Sequence, residues 1–103
     1  MALQLRPNCE LCDCDLPATA DNARICTYEC TFCADCAEHN LSNVCPNCGG
    51  GFVNRPIRPA TAWRDGVSRA HQKPSDKRRS LKYEAESIAA HVARIKGIPP
   101  AER

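Results

Sequence analysis

The chain has 103 residues, nine cysteines, one tryptophan and a formal net charge of +2. We expect one compact domain with a tail at this length, and no apolar run is long enough to span a bilayer. Residues 1–7 lack the apolar core of a secretory signal. The chain is therefore predicted to be cytoplasmic. Because the cytosol keeps thiols reduced, its cysteines are predicted to bind metal rather than to form disulfides.

Charge is divided unevenly along the chain. Residues 1–54 carry two arginines against seven carboxylates, whereas residues 55–103, called the tail below, carry twelve Lys or Arg side chains against five carboxylates. A basic tail beside an acidic front half predicts one of two arrangements. Either the tail folds back on residues 1–54, or it binds an external polyanion.

Residues 1–54 are predicted to form a metal-folded module. About 50 residues bury too little apolar surface to fold securely without disulfides or metal. Eight of the nine cysteines fall into four pairs, and eight thiolates are the ligand count of two tetrahedral zinc sites. We therefore predict two structural Zn²⁺ ions per chain, with these ligands: Cys9, Cys12, Cys26, Cys30, Cys33, Cys36, Cys45 and Cys48. A site closed by four thiolates has no open position for substrate, so we expect no enzyme activity.

The spacing leaves two ways of joining the pairs. In a sequential scheme the first two pairs share one ion and the last two share the other; in a crossed scheme the first pair joins the third and the second joins the fourth. An iron–sulfur cluster is an alternative to zinc, because Cys30, Cys33 and Cys36 are spaced C-x-x-C-x-x-C, although the gap to Cys45 is too long for a ferredoxin. Cys14 falls outside both schemes and is predicted to be a free thiol.

The tail is predicted to begin with a linker over residues 55–74, where Trp63 is expected to cover part of the module's core. Residues 75–97 are predicted to form an amphipathic basic helix, capped by Ser75 or Ser80 and followed by a frayed end over residues 98–103. Apolar side chains recur in it at steps of four and three: Leu81, Ala85, Ile88, Val92 and Ile95. This stripe must bury against the module or against a second copy, which makes a homodimer through residues 81–95 an alternative. We place His91 on the polar side of this tail helix.

The string Cys30-Thr31-Phe32-Cys33-Ala34-Asp35-Cys36 and the closing Cys45-Pro46-Asn47-Cys48 resemble the RING finger over about half of the chain. The resemblance implies a crossed arrangement and a short helix over residues 34–41, with His39 on its surface. One site would be formed by Cys9, Cys12, Cys33 and Cys36, and the other by Cys26, Cys30, Cys45 and Cys48. The departures are Cys30 in place of the usual RING histidine, a short gap before Cys45, and Gly49 where active ubiquitin ligases often carry a basic residue.

A closer resemblance covers residues 1–59, from Leu5-Arg6-Pro7-Asn8-Cys9-Glu10 through Cys45-Pro46-Asn47-Cys48-Gly49-Gly50 to Arg55-Pro56. This run is similar to a bacterial family of small cysteine-rich proteins of unknown function, domain of unknown function 1272. That resemblance implies zinc binding and a bacterial cytosol, and it implies no activity.

These observations predict a small zinc-finger domain, either a RING-like cross-brace or a treble clef, with a C-terminal α-helix. Its predicted function is a non-enzymatic one, in which structural zinc supports binding to another macromolecule, with an unidentified protein as the first candidate partner. The alternatives are a RING-type ubiquitin-ligase-like adaptor and a nucleic-acid binder. The nucleic-acid alternative depends on the basic tail: Arg55, Arg58, Arg64, Arg69, Lys73, Lys77, Arg78, Arg79 and Lys82.

Overall fold

The computed structural model describes residues 2–103, so Met1, the first residue of the predicted metal module, lies outside the described residues. Three short antiparallel strands form one sheet in the order β2-β1-β3, with β1 at Ala23–Ile25, β2 at Thr31–Cys33 and β3 at Val53–Asn54. The register places Arg24 opposite both Phe32 of β2 and Asn54 of β3. The sheet therefore joins the middle of the module to its last residues.

A helical turn of π type, Cys36–Asn40, follows β2 almost directly. It agrees with the short helix predicted over residues 34–41, and His39 on it is exposed as expected, with Nδ1 lying 3.1 Å from Asp35 Oδ1. Leu41 donates its backbone N–H to the Cys36 carbonyl and closes the turn. The turn begins at Cys36, so its first residue is also a candidate metal ligand.

The core is small and lies between the sheet, the helical turn and the cysteines. Phe32 is fully buried and packs edge-on against Phe52, with ring centroids 5.2 Å apart. Leu16, Leu41 and Val44 are also fully buried. Most of the remaining buried positions of this core are cysteines rather than larger apolar residues. Such a core agrees with a module that needs metal for stability.

One α-helix, α1, runs from Ala85 to Ile95 in the tail. Val92 is buried, and Ile88 and Ile95 pack against the core of the module in the same chain. The apolar stripe thus packs in part against the module of the same chain, and a homodimer through residues 81–95 stays a prediction. No helix among residues 2–103 is long and apolar enough to cross a membrane.

The predicted start of this helix at residue 75 is wrong, because α1 begins ten residues later, at Ala85. Residues 75–84 are not helical, and neither Ser75 nor Ser80 caps α1, whose N-cap is Glu84. The reason is tertiary: Ser75 donates its backbone N–H to the Leu5 carbonyl, and Leu81 donates to the Glu10 carbonyl, at 2.9 and 3.0 Å. Backbone donors used in this way cannot form the i to i−4 ladder of a helix.

Three further expectations about the tail are corrected by the structure. Trp63 is 78% exposed and covers no core. Arg55, placed in the linker, extends the sheet by donating its backbone N–H to the Ala23 carbonyl at 2.9 Å. The end of the chain is not frayed, because a 3-10 turn forms at Pro100–Glu102 and the Arg103 guanidinium donates to the carbonyls of Asn43 and Gly49.

Candidate metal centres

The first cysteine group is assembled by two local turns. Cys9 and Cys12 lie in a turn that closes when Asp13 donates its N–H to the Cys9 carbonyl at 2.9 Å, with Asp13 itself in the left-handed region at φ 66°. Cys33 ends β2 and Cys36 begins the helical turn. The sheet register and the short β2-to-helix connection thus deliver the second pair of sulfurs to the first.

The four sulfurs of Cys9, Cys12, Cys33 and Cys36 all lie within 4.8 Å of one another. The Sγ···Sγ distance between Cys12 and Cys33 is 3.8 Å. A tetrahedron with metal–sulfur bonds of about 2.3 Å has an edge of about 3.8 Å. The geometry of this group therefore fits one tetrahedral ion, and Cys9 and Cys36 are almost fully buried while Cys12 is exposed.

Backbone amides point at the sulfurs of this group. Cys12 donates its N–H to Cys9 Sγ at 3.5 Å, and Cys36 donates to Cys33 Sγ at 3.4 Å. The Asn40 side chain adds a bond from Nδ2 to Cys36 Sγ at 3.5 Å. Hydrogen bonds to a thiolate stabilise its charged form, which is the form that binds metal.

The thiols of the first group titrate differently from one another in the metal-free chain. Burial raises the pKa of Cys9 and of Cys36. A hydrogen bond from the Cys14 backbone lowers the pKa of Cys12 to about 7. Crowded thiols cannot all ionise together without a nearby positive charge, so a bound cation is what lets the whole quartet become thiolate.

The second group comes from the hairpin turn between β1 and β2 and from a turn near residue 47. The sulfurs of Cys26, Cys45 and Cys48 lie within 4.8 Å of one another. Tyr28 donates its N–H to Cys26 Sγ at 3.3 Å, and Gly50 donates to Cys48 Sγ at 3.4 Å. The amide-to-sulfur pattern of the first group is repeated here.

Cys30, the eighth predicted ligand, is not part of this mutually close set. Its sulfur still belongs to the same neighbourhood, because hydrogen bonds from Cys30 and then Cys45 lower the pKa of Cys26 to about 3. The same contacts raise the pKa of Cys45, with Cys26 as the largest cause. Asn47 donates from Nδ2 to Cys30 Sγ at 3.3 Å. The structure thus brings seven of the eight predicted ligands into two groups, of four and of three.

The grouping joins the first pair to the third and Cys26 to the fourth pair, so the sulfurs converge in the crossed order. The sequential order would need Cys9 and Cys12 to meet Cys26, and these sulfurs belong to different groups. All nine cysteines are free thiols. Cys14 is exposed and lies beside the first group, and burial of its sulfur among the neighbouring thiols is the main cause that raises its pKa to about 12.

Two residues to which the sequence assigned no part in a metal site, His91 and Gly49, lie where the tail helix meets the second group. His91 of α1 lies with Nε2 3.0 Å from the Cys45 carbonyl, so it faces the module and not the polar side as predicted. It is three residues after Ile88 and four before Ile95, a spacing that places all three on one helix face. Gly49 has φ 79°, and an added Cβ would come within 3.3 Å of Ile95. The tail helix therefore packs closely on the second group.

These features define a small domain with a short antiparallel sheet and two cysteine groups that fit metal ions. The family described as "Protein of unknown function (DUF1272)" matches residues 2–58, and the chain belongs to this family. The chain is also similar to an uncharacterized protein of Rhizobium meliloti (strain 1021), at 64% identity over 59 residues, which is 57% of this chain and 70% of that protein. No solved structure matches. The family resemblance predicted from residues 1–59 is confirmed.

Proposed function

We propose that the chain is a non-enzymatic module folded by two zinc ions in a RING-like crossed arrangement. The observation that carries the proposal is the convergence of four sulfurs, those of Cys9, Cys12, Cys33 and Cys36, within 4.8 Å of one another. A quartet of thiolates suits zinc and closes the coordination sphere, so the metal would stabilise the fold and would not bind substrate. The core is too small to replace it.

For the second ion we propose Cys30 as the fourth ligand beside Cys26, Cys45 and Cys48. The support is its place in the same hairpin turn as Cys26, whose backbone N–H donates to the Cys30 carbonyl at 3.2 Å. The hydrogen bond from Asn47 also orients the Cys30 sulfur next to this group. A bound cation would draw in this sulfur, because three thiolates leave the tetrahedron of a structural zinc incomplete.

The role proposed for the folded module is to bind another macromolecule in the cytosol, first of all a protein. Support comes from exposed apolar side chains near the second group: Tyr28 is 69% exposed and Val53 is 67% exposed. Both line a groove of about 490 Å³ together with Phe52 and Pro100. Exposed aromatic and aliphatic side chains at a groove are a common feature of protein-binding surfaces.

Metal analysis of the purified full chain tests this proposal. We expect two zinc ions per chain, no iron, and loss of the folded spectrum on chelation with recovery when zinc is returned. Replacing zinc with ¹¹³Cd²⁺ separates the sites by NMR, and all-sulfur coordination shifts both cadmium signals strongly downfield. Finding one ion per chain would contradict the second zinc site, in which Cys30 is the proposed fourth ligand. A folded metal-free chain would overturn the proposal as a whole.

Nucleic-acid binding is the second candidate function, because several basic side chains of the tail face one cavity. A ubiquitin-ligase-like role remains an expectation from the RING resemblance alone. A ubiquitin discharge assay on the zinc-loaded chain tests that expectation directly.

A further inference from the structure

The basic side chains of the tail divide into those that stabilise the fold and those that do not. Arg55 is 4% exposed and donates to the carbonyls of Arg6, Leu16 and Pro17, and burial lowers its pKa. Arg58 donates to the Gln72 carbonyl at 2.6 Å and also to the Leu3 carbonyl. These two arginines satisfy backbone carbonyls, so neither is available to an external polyanion.

A second part of the tail borders a cavity of about 650 Å³ beside the first cysteine turn. Five cationic side chains and one aromatic ring line it: Arg6, Lys77, Arg78, Arg79, Lys82 and Tyr83. The cavity thus gathers four of the tail's nine candidate nucleic-acid-binding residues in one place. The sequence alone presented those nine only as a scattered basic stretch.

The segment that borders the cavity is held rigidly by the module. Asn8, which is fully buried, accepts from the Arg79 backbone N–H at 3.1 Å and donates to the Arg79 carbonyl at 2.7 Å. Leu81 donates to the Glu10 carbonyl at 3.0 Å. Because the backbone on both sides of Ser80 is fixed in this way, the cationic side chains start from defined positions, which reduces the entropy lost on binding a ligand.

The charges around the cavity are not balanced within the described residues. Arg78 pairs with Asp13 and Asp15 at 2.9 and 2.7 Å, and Glu10 is occupied by Arg6 and by the Thr31 backbone N–H. Lys77, Arg79 and Lys82 form no ion pair in the part of the chain that the structure describes. Arg79 Nε is buried, and no acceptor among residues 2–103 satisfies it.

We propose that this cavity binds a nucleotide unit, with its phosphate on Lys77, Arg79 and Lys82 and its base against Tyr83. Three cations that form no ion pair among residues 2–103 attract a phosphate, and an aromatic ring that is 49% exposed offers a stacking surface. The nucleotide is either free or part of a single strand. The inference deepens the second candidate function, nucleic-acid binding, and rests on the proposed function in requiring that metal fold the module.

A competing explanation is that the same cations offset the charge of the metal-bound thiolates. Cys30 also lines the cavity, and a zinc ion held by four thiolates has a formal charge of −2. Under that explanation, removing the cations weakens zinc binding and leaves nucleotide binding absent. Under the present proposal the effect falls on the nucleotide, and zinc content is unchanged.

The experiment uses the zinc-loaded full chain and three probes: inorganic phosphate, uridine monophosphate and a 12-nucleotide single-stranded oligouridylate. Binding is followed by amide chemical-shift changes and by fluorescence anisotropy of the labelled strand. The test variant is K77Q/K82Q, and the matched control is R64Q/K73Q, which removes two exposed cations of the same tail outside the cavity. A second test variant, Y83L, removes the ring and keeps the cations.

We expect K77Q/K82Q to weaken strand binding on the order of tenfold and to reduce the salt slope by about 1.4, and the control to change it little. Y83L should weaken both nucleotide probes and leave inorganic phosphate unaffected. Saturation by uridine monophosphate alone assigns a free nucleotide; binding of only the longer probe assigns a strand. Equal losses in test and control variants, no shifts at residues 77–83 with any probe, or a loss of zinc in K77Q/K82Q would overturn the proposal. In the first two cases intact zinc content leaves the metal-folded module standing.

Discussion

The module, residues 2–54, and the tail, residues 55–103, acquire their order in different ways. The module is built from turns that bring sulfurs together, and half of the buried core residues within it are cysteines. The tail has one α-helix; residues 59–72 bond mainly among themselves, and Arg55, Ser75 and Leu81 bond to the module through their backbone. The family match ends at residue 58, close to the same boundary. The comparison teaches that metal should control the module directly and the tail only through the module.

The largest effect is expected from Cys33→Ser, which removes one sulfur of the first group. A serine hydroxyl does not replace a thiolate on zinc, so zinc content should fall from two ions to one and the module should lose its fold. Zinc release and NMR dispersion measure both. Cys14→Ser is the matched control, because Cys14 is exposed and outside both groups. If both variants keep two ions, Cys33 is not a ligand.

Falling pH should unfold the module, by removing its metal, before it disrupts the contacts of the tail. Burial raises the pKa of Cys9 and Cys36 in the metal-free chain, and metal binding requires their thiolates. Falling pH therefore favours the protonated metal-free chain, and zinc affinity should decrease at least about tenfold per pH unit as pH falls. The Arg78 pKa is raised, first by Asp15 and then by Asp13, so its charge does not change in this range. A competition titration between pH 8 and pH 6 measures the slope, and a flat profile would contradict thiolate coordination.

The same difference explains what the sequence could predict. A C-x-x-C pair brings two sulfurs together through a short turn, so the seven sulfurs that converge in two groups could be picked out from spacing alone. The start of α1 could not be predicted, since Ser75, Arg79 and Leu81 have helix-compatible spacing but donate their N–H groups to the module. Nothing in the sequence indicated that Asn8 holds the tail by hydrogen bonds to the Arg79 backbone. Cys30 has the right spacing, yet it lies outside the three-sulfur group, because spacing does not fix how the last sulfur turns.

The attachment of the tail to the module should depend strongly on Asn8. Asn8→Ala removes both hydrogen bonds to Arg79 and one to Asp13 Oδ1, and it leaves the Arg79 backbone groups without partners. We expect a loss of about 3 kcal/mol in unfolding free energy and faster amide exchange over residues 77–83. Zinc content should stay unchanged. Asn54→Ala, at an exposed position of β3, is the control. Normal exchange in the Asn8 variant would show that the tail is held elsewhere.

The helix should contribute less, because one apolar side chain dominates its contact. Val92 is 7% exposed, and Val92→Ala should cost about 2 kcal/mol in lost packing, reduced by about 0.6 kcal/mol because alanine favours the helix. Thermal unfolding of the zinc-loaded chain measures the net loss. Ala93→Ser, on the exposed side of the same helix, should change stability by less than about 0.5 kcal/mol.

Since α1 covers the second cysteine group through His91 and Ile95, the Val92 variant should also release zinc from that group faster than from the first. Equal release rates from the two groups would mean that the helix covers the second site without protecting it.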